Sequence, residues 1–172
     1  MRQGFLVLCW LLLTTTSLAQ DNGPLPLGTQ APDFVLQDIQ GKPRQLQDFR
    51  GKVTVLNFWA FWCDTLKAEL PHLKELATRQ EEVGFHLVAL SVDGTRLPEF
   101  LRLTKGQLPF PVLLDAGGKV SQEYHIRHVP TVIVLDANGR IRYVKSGYPG
   151  NHRVLAEIRK AATEDRRKAT RE

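Results

Sequence analysis

The chain is 172 residues long, 42% hydrophobic and 24% charged, with a formal net charge of +5. That is enough for one domain of ordinary size with a real core. The basic balance is mild and dispersed, and no lysine–arginine stripe or aromatic platform accompanies it, which argues against a nucleic-acid partner.

Residues 1–19 read as a signal peptide. Arg2 supplies a minimal positive start, Phe5 to Leu13 an apolar core, and Ser17-Leu18-Ala19 a small-x-small cleavage site before Gln20. The apolar run is short for a spanning helix. The alternative is an uncleaved anchor over residues 4–19, in which case the protein is membrane-tethered; otherwise it is exported to a periplasmic or extracellular space. Leu8 before Cys9 does not suit a lipoprotein site. Cleavage would remove Cys9 and leave Cys63 as a lone thiol. Such a thiol makes no internal disulfide and is open to intermolecular pairing.

Residues 20–29, with Pro24, Pro26 and two glycines, read as a linker. The domain proper is expected over residues 30–162. Ala31 to Leu36 is a predicted strand, Gly41-Lys42-Pro43 a turn and Arg44 to Leu46 its partner, together an N-terminal hairpin. In Lys52 to Pro71, Val53, Val55, Asn57 and Trp59 alternate with Thr54, Leu56 and Phe58, as in a strand buried on both faces. From Cys63 the period changes. Leu66, Leu70, Leu73 and Leu76 recur at helical spacing, with Lys67, Glu69, Lys74 and Glu75 between them. Cys63 therefore stands where a strand becomes a helix, and the free N–H groups and positive dipole end there favour a thiolate.

Phe85 to Val92 is the next strand, which should pair parallel to the first across the intervening helix. Pro98 to Leu103 reads as helix, Val112 to Leu114 as strand and Lys119 to Tyr124 as short helix. Thr131 to Leu135 and Arg140 to Val144 are strands joined by the turn Asp136-Ala137-Asn138-Gly139. Asn151 to Ala162 closes the domain as a helix with Val154, Leu155, Ile158 and Ala161 toward the sheet. Residues 163–172 mix both charges without apolar residues and read as a disordered tail. No metal-type Cys/His spacing occurs, and neither a metal nor a cofactor is expected.

Trp62-Cys63 followed by Lys67 and Pro71 resembles the active-site segment of the thioredoxin fold, and the stretch from Asn57 to Cys63 is similar to the TlpA/ResA-like branch of extracytoplasmic thiol–disulfide oxidoreductases. The segments around Ala31-Pro32-Asp33-Phe34 and Gly51-Lys52 resemble a signature shared with peroxiredoxins. The resemblance implies a thioredoxin-like three-layer α/β/α sandwich with a mixed central sheet and the N-terminal hairpin as an extension. The family motif is C-x-x-C; here it reads Cys63-Asp64-Thr65-Leu66, so Leu66 takes the place of the resolving cysteine.

The resemblance implies that Cys63 is the attacking thiol, flanked by Trp62, with Lys67, Glu69 and Asn57 supporting it. The bland alternative for Cys63 is a small buried hydrophobe. Glu69 would shape proton transfer at the thiol, or is an exposed helix residue pairing with Lys74. Asn57 stands where thioredoxin has a buried aspartate. Pro130 matches a family proline that is cis and faces the nucleophile, and Val129 would offer its backbone to an extended substrate. His128 is either a plain loop residue or one that crowds the approach. His72, His86, His125 and His152 show no catalytic pairing.

The expected function is monothiol exchange through a mixed disulfide with a disulfide-bearing protein or a small thiol. The alternative is a degenerate binding or scaffold module for an extended peptide. A peroxidase is weaker: such enzymes carry P-x-x-x-T-x-x-C, and the matching positions here are Leu56 and Ala60.

Overall fold

The sheet is built around β3 (Val53–Trp59), whose seven residues are all buried. The computed structural model describes residues 23–63, 65–93, 97–104 and 107–170. The expected leader with Cys9, its cleavage site, and Asp64 beside the thiol lie outside the described residues. Before β3 come β1 (Val35–Asp38), β2 (Pro43–Gln45) and a 3-10 turn at Leu46–Phe49; after it come α1 (Thr65–Thr78), α2 (Gln80–Val83) and β4 (Phe85–Ser91). The chain continues through α3 (Leu97–Thr104), β5 (Val112–Leu114), α4 (Lys119–Glu123), β6 (Thr131–Leu135), β7 (Ile141–Ser146) and α5 (Asn151–Ala169).

The strands form one mixed sheet in the order β2-β1-β5-β4-β3-β6-β7. β4 lies parallel to both β3 and β5, whereas β6 runs antiparallel to β3 and β7 antiparallel to β6. The alternation in β3 divides the core in two. Val53, Val55 and Trp59 join the cluster under α1, α3 and α5, which supply Leu66, Leu70, Leu73, Leu76, Phe100, Val154, Ile158 and Ala161. Leu56 and Phe58 join the opposite cluster with Phe34, Leu46, Phe49, Val120 and Tyr124, from the N-terminal segment, the 3-10 turn and α4.

Register places the site. Trp59, the last residue of β3, pairs with Ser91 at the end of β4, and Phe58 pairs with Thr131 at the start of β6. Thr131 in turn pairs with Ser146 at the end of β7. The loops leaving β3, β4 and β7 and the one entering β6 thus gather at one end of the sheet, the end where α/β folds carry their chemistry.

Three sequence expectations are corrected. Ala31 to Phe34 is not a strand: Ala31 N–H donates to Gly139 O (3.0 Å), while Phe34 O accepts from Leu46 N–H (3.2 Å). The β1–β2 ladder begins at Val35, opposite Gln45. The later part of the expected linker is bound to the domain. Gly28 N–H donates to Ile141 O (2.7 Å), and Ile141 N–H donates to Thr29 O (2.9 Å).

The closing helix also runs past Ala162 to Ala169, taking up most of the expected tail. Two acidic residues of this extension have partners on the β6–β7 hairpin: Asp165 Oδ2 accepts from Ala137 N–H in the turn (2.9 Å), and Glu164 pairs with Arg142 of β7 at 3.2 Å. Arg142 also pairs with the buried Asp136 at 2.8 Å. The turn itself needs Gly139, whose φ of 78° is costly for a side-chain-bearing residue.

Candidate active site

Cys63 is a half-buried free thiol two residues before α1. The loop reaching it is anchored at both ends. Phe61 N–H donates to Asp93 Oδ1 (3.0 Å), and the Phe61 ring stacks on Phe100 at 4.6 Å. Cys63 N–H donates to Ala60 O (3.1 Å), and Cys63 O accepts from Leu66 N–H (3.0 Å), closing a turn into the helix. Cys63 Sγ lies 2.9 Å from Thr65 Oγ1. Trp62 is 54% exposed beside it. Lys67, expected to support the thiol, is exposed on α1, and no ion pair ties it to another described residue.

Leu66 is 4% exposed and belongs to the apolar stripe of α1. Glu69 belongs to the same stripe, also 4% exposed, so its reading as an exposed helix residue paired with Lys74 is overturned. The reason is positional: it falls three residues after Leu66 and four before Leu73, on the face α1 turns to the sheet. There it meets Asn57 of β3, fully buried, whose Nδ2–H donates to Glu69 Oε1 (2.9 Å). Glu69 Oε2 and Asn57 Oδ1 are buried and accept no hydrogen bond from a described residue. Burial pushes the Glu69 carboxyl up from 4.5 to about 7, against the opposing pull of the Asn57 hydrogen bond.

The Val129–Pro130 peptide is cis. Pro130 O accepts from Gly147 N–H (2.7 Å), which ties the loop entering β6 to the loop leaving β7. Two clefts flank this point. One, of about 570 Å3, is lined by Thr65, Ala68, Glu69, His72, Pro130 and the 147–150 loop. The other, of about 290 Å3, is lined by Trp62, Val92, Ser121, Ile126, His128 and Val129, among others.

In the first cleft the Tyr148 ring stacks on His72 (6.3 Å), and its hydroxyl donates to Asn151 Oδ1. Asn151 Nδ2–H in turn donates to His72 O and Glu75 Oε2, both at 3.0 Å. Burial, and then the charges of Glu69 and Glu75, hold the Tyr148 hydroxyl well above its usual range.

Of the residues singled out in the sequence, Trp62, Cys63, Glu69, Asn57, Val129 and Pro130 lie at this end of the sheet, and Lys67 is exposed on α1. Tyr148 and Asp93 were missed, and His72, read in the sequence as having no catalytic pairing, lines the first cleft. Tyr148 sits in Gly147-Tyr148-Pro149-Gly150, a glycine- and proline-rich stretch that reads only as a turn. Among the described residues, no group of three His, Cys, Asp or Glu side chains could hold a metal. No described helix is long and apolar enough to cross a membrane.

A mixed sheet flanked by helices, a cysteine ahead of a helix and a cis-proline at the same end of the sheet define a thioredoxin-like protein. Residues 27–144 match the AhpC/TSA family, and the chain belongs to that family, in its TlpA/ResA-like branch. A thiol-disulfide oxidoreductase ResA of Oceanobacillus iheyensis is 37% identical over 136 residues, 77% of this chain and 71% of the relative. Another ResA, from Bacillus thuringiensis, is 35% identical over 117 residues, 68% of each chain. The crystal structure of an exposed lipoprotein thioredoxin from Streptococcus pneumoniae superposes with a TM-score of 0.66 at 28% identity, covering 75% of this chain and 99% of that one.

Proposed function

We propose that the protein is an extracytoplasmic thiol–disulfide oxidoreductase that works through Cys63 alone, by mixed-disulfide exchange. The observation that carries this reading is the Cys63 thiol itself, half-buried, ahead of α1 and next in the chain to an exposed Trp62. The thiolate is the species that attacks a disulfide. A substrate, either a disulfide-bearing protein or a small disulfide, lies across Trp62 and Val129. Its sulfur bonds to Cys63 Sγ, and its other half leaves as a thiol. In a C-x-x-C enzyme a second cysteine would then break the adduct. Leu66, apolar and buried, cannot, so release waits for an external thiol.

Location outside the cytoplasm rests on the N-terminal leader and on the exposed lipoprotein among the relatives. Membrane association follows only if the leader stays uncleaved.

The test is reduction of insulin or oxidised glutathione in excess monothiol. Wild type turns over, Cys63→Ser does not, and Leu66→Cys shifts toward dithiol behaviour with an internal disulfide. The second reading, a module that keeps the groove but not the chemistry, is favoured by the burial of Leu66. It gains if Leu66→Cys forms the disulfide and remains inactive.

A further inference from the structure

The Trp62 cleft takes part of its lining from the thiol-bearing loop, through Trp62, and part from the chain leaving β4, through Val92. One carboxylate joins the two. We infer that Asp93 is a positioning residue for the disulfide substrate: it fixes the turn bearing Trp62 and Cys63 against the end of β4, and so sets the wall of that cleft. This rests on the exchange reading and deepens it, by naming a residue that governs which disulfides reach Cys63.

The geometry runs through Phe61. Cys63 N–H donates to Ala60 O (3.1 Å), so residues 60–63 form one four-residue turn with Phe61 and Trp62 at its centre. Phe61 N–H takes no part in closing that turn and donates instead to Asp93 Oδ1 (3.0 Å). The hydroxyl of Ser91, the last residue of β4, is shared between that same oxygen (2.9 Å) and Asp93 O, which holds the carboxylate in place. Val92 N–H donates to Trp59 O (2.9 Å), just ahead of the turn. Asp93 Oδ2 is buried and accepts no hydrogen bond from a described residue, so the hold on the loop runs through Oδ1.

Without Asp93, Phe61 N–H loses its acceptor, and the turn keeps only its own hydrogen bond and the Phe61–Phe100 stack. Trp62 is 54% exposed, so little packing holds it, and its position follows that of the turn. A peptide disulfide lying along Trp62, Val92 and Val129 meets the displaced wall. A disulfide too small to reach those residues meets only the thiol.

The experiment compares a short peptide disulfide with hydroxyethyl disulfide, following adduct formation on Cys63 of the purified protein by acid quench and intact mass. In Asp93→Ala the peptide rate is expected to fall about tenfold, on the scale of one net hydrogen bond, and the small-disulfide rate by less than about twofold. The ratio of the two rates therefore drops. Asp93→Asn keeps an oxygen for Phe61 N–H and restores the ratio. Ser91→Ala removes the hydroxyl that holds the carboxylate and shifts the ratio the same way by a smaller factor, which carries the test should Asp93→Ala not fold. Asp136→Ala, which removes a buried carboxylate beyond the other end of β6, costs stability and leaves the ratio unchanged.

An unchanged ratio in folded Asp93→Ala or in Ser91→Ala overturns the inference. So does a ratio lowered as far in Asp93→Asn or Asp136→Ala as in Asp93→Ala. Either result leaves the exchange reading standing, because wild type still reacts. Failure of that reading shows instead as folded wild type that takes an adduct from neither disulfide, and the inference falls with it.

Discussion

Asn57 and Glu69 are twelve positions apart in the chain, yet they form a buried polar pair inside the apolar face of the sheet. A carboxyl in that setting is costly once ionised, which is why its titration moves to about 7. The folded state then holds the proton more tightly than the unfolded chain, whose carboxyl titrates near 4.5. Stability from this group is therefore fully present below about 4.5 and is lost as pH rises through about 7. The difference is about 2–3 kcal/mol between pH 5 and 8. Glu69→Gln keeps an acceptor for Asn57 and removes the charge. Urea titrations of both proteins should show the variant gaining on wild type by that amount at pH 8 relative to pH 5. Parallel pH dependences would mean the carboxyl is solvated. The same titration predicts that wild-type turnover gains a rising limb centred near pH 7, which Glu69→Gln lacks.

At the scale of elements, α1 decides what the site can do. Its stripe of Leu66, Glu69, Leu70, Leu73, Leu76 and Ala77 is regular enough that the helix and its buried leucines are legible in the sequence. Glu69 is legible only as two alternatives, a carboxylate at the thiol or an exposed helix residue, and its burial on the dry face decides against the second. Leu66 shows the converse. Its place in the apolar repeat is legible in the sequence, and the structure buries it accordingly, 4% exposed. The Cys63–Leu66 hydrogen bond closes a four-residue turn, which holds the two Cα atoms within about 7 Å, inside the range a disulfide bridges.

Leu66→Cys should therefore oxidise to an internal disulfide in glutathione buffer, seen as the loss of two hydrogens by mass. In its reduced form it should be destabilised by about 1–3 kcal/mol, because the smaller side chain leaves buried space under α1. A variant that remains a dithiol in oxidising buffer would show that the turn geometry is wrong for exchange within the motif.

Across the whole molecule, the sheet's register does what no local pattern reveals. It brings Cys63, Pro130 and Tyr148 together from loops separated by most of the domain. The family resemblance led to the proline; Tyr148 lay in a turn whose composition carries no hint of a cleft. The C-terminal end was misread for a related reason. Glu164 and Asp165 look like tail residues until Arg142 and the Ala137 N–H appear opposite them. Truncation after Ala162 should lower the unfolding free energy by about 1–3 kcal/mol, since the Asp165 hydrogen bond to the β6–β7 turn and the Glu164–Arg142 ion pair are removed. A thermal melt unchanged by truncation would restore the frayed-tail reading.

The central claim is that Cys63 reacts as a thiol placed for exchange rather than as a packed core residue. Wild-type protein mixed with a short peptide disulfide, quenched in acid and weighed intact, tests it most directly. The account predicts one peptide adduct on Cys63, formed faster in the folded protein than in the urea-unfolded chain and persisting until a monothiol is added. An adduct that appears only on unfolding would contradict it.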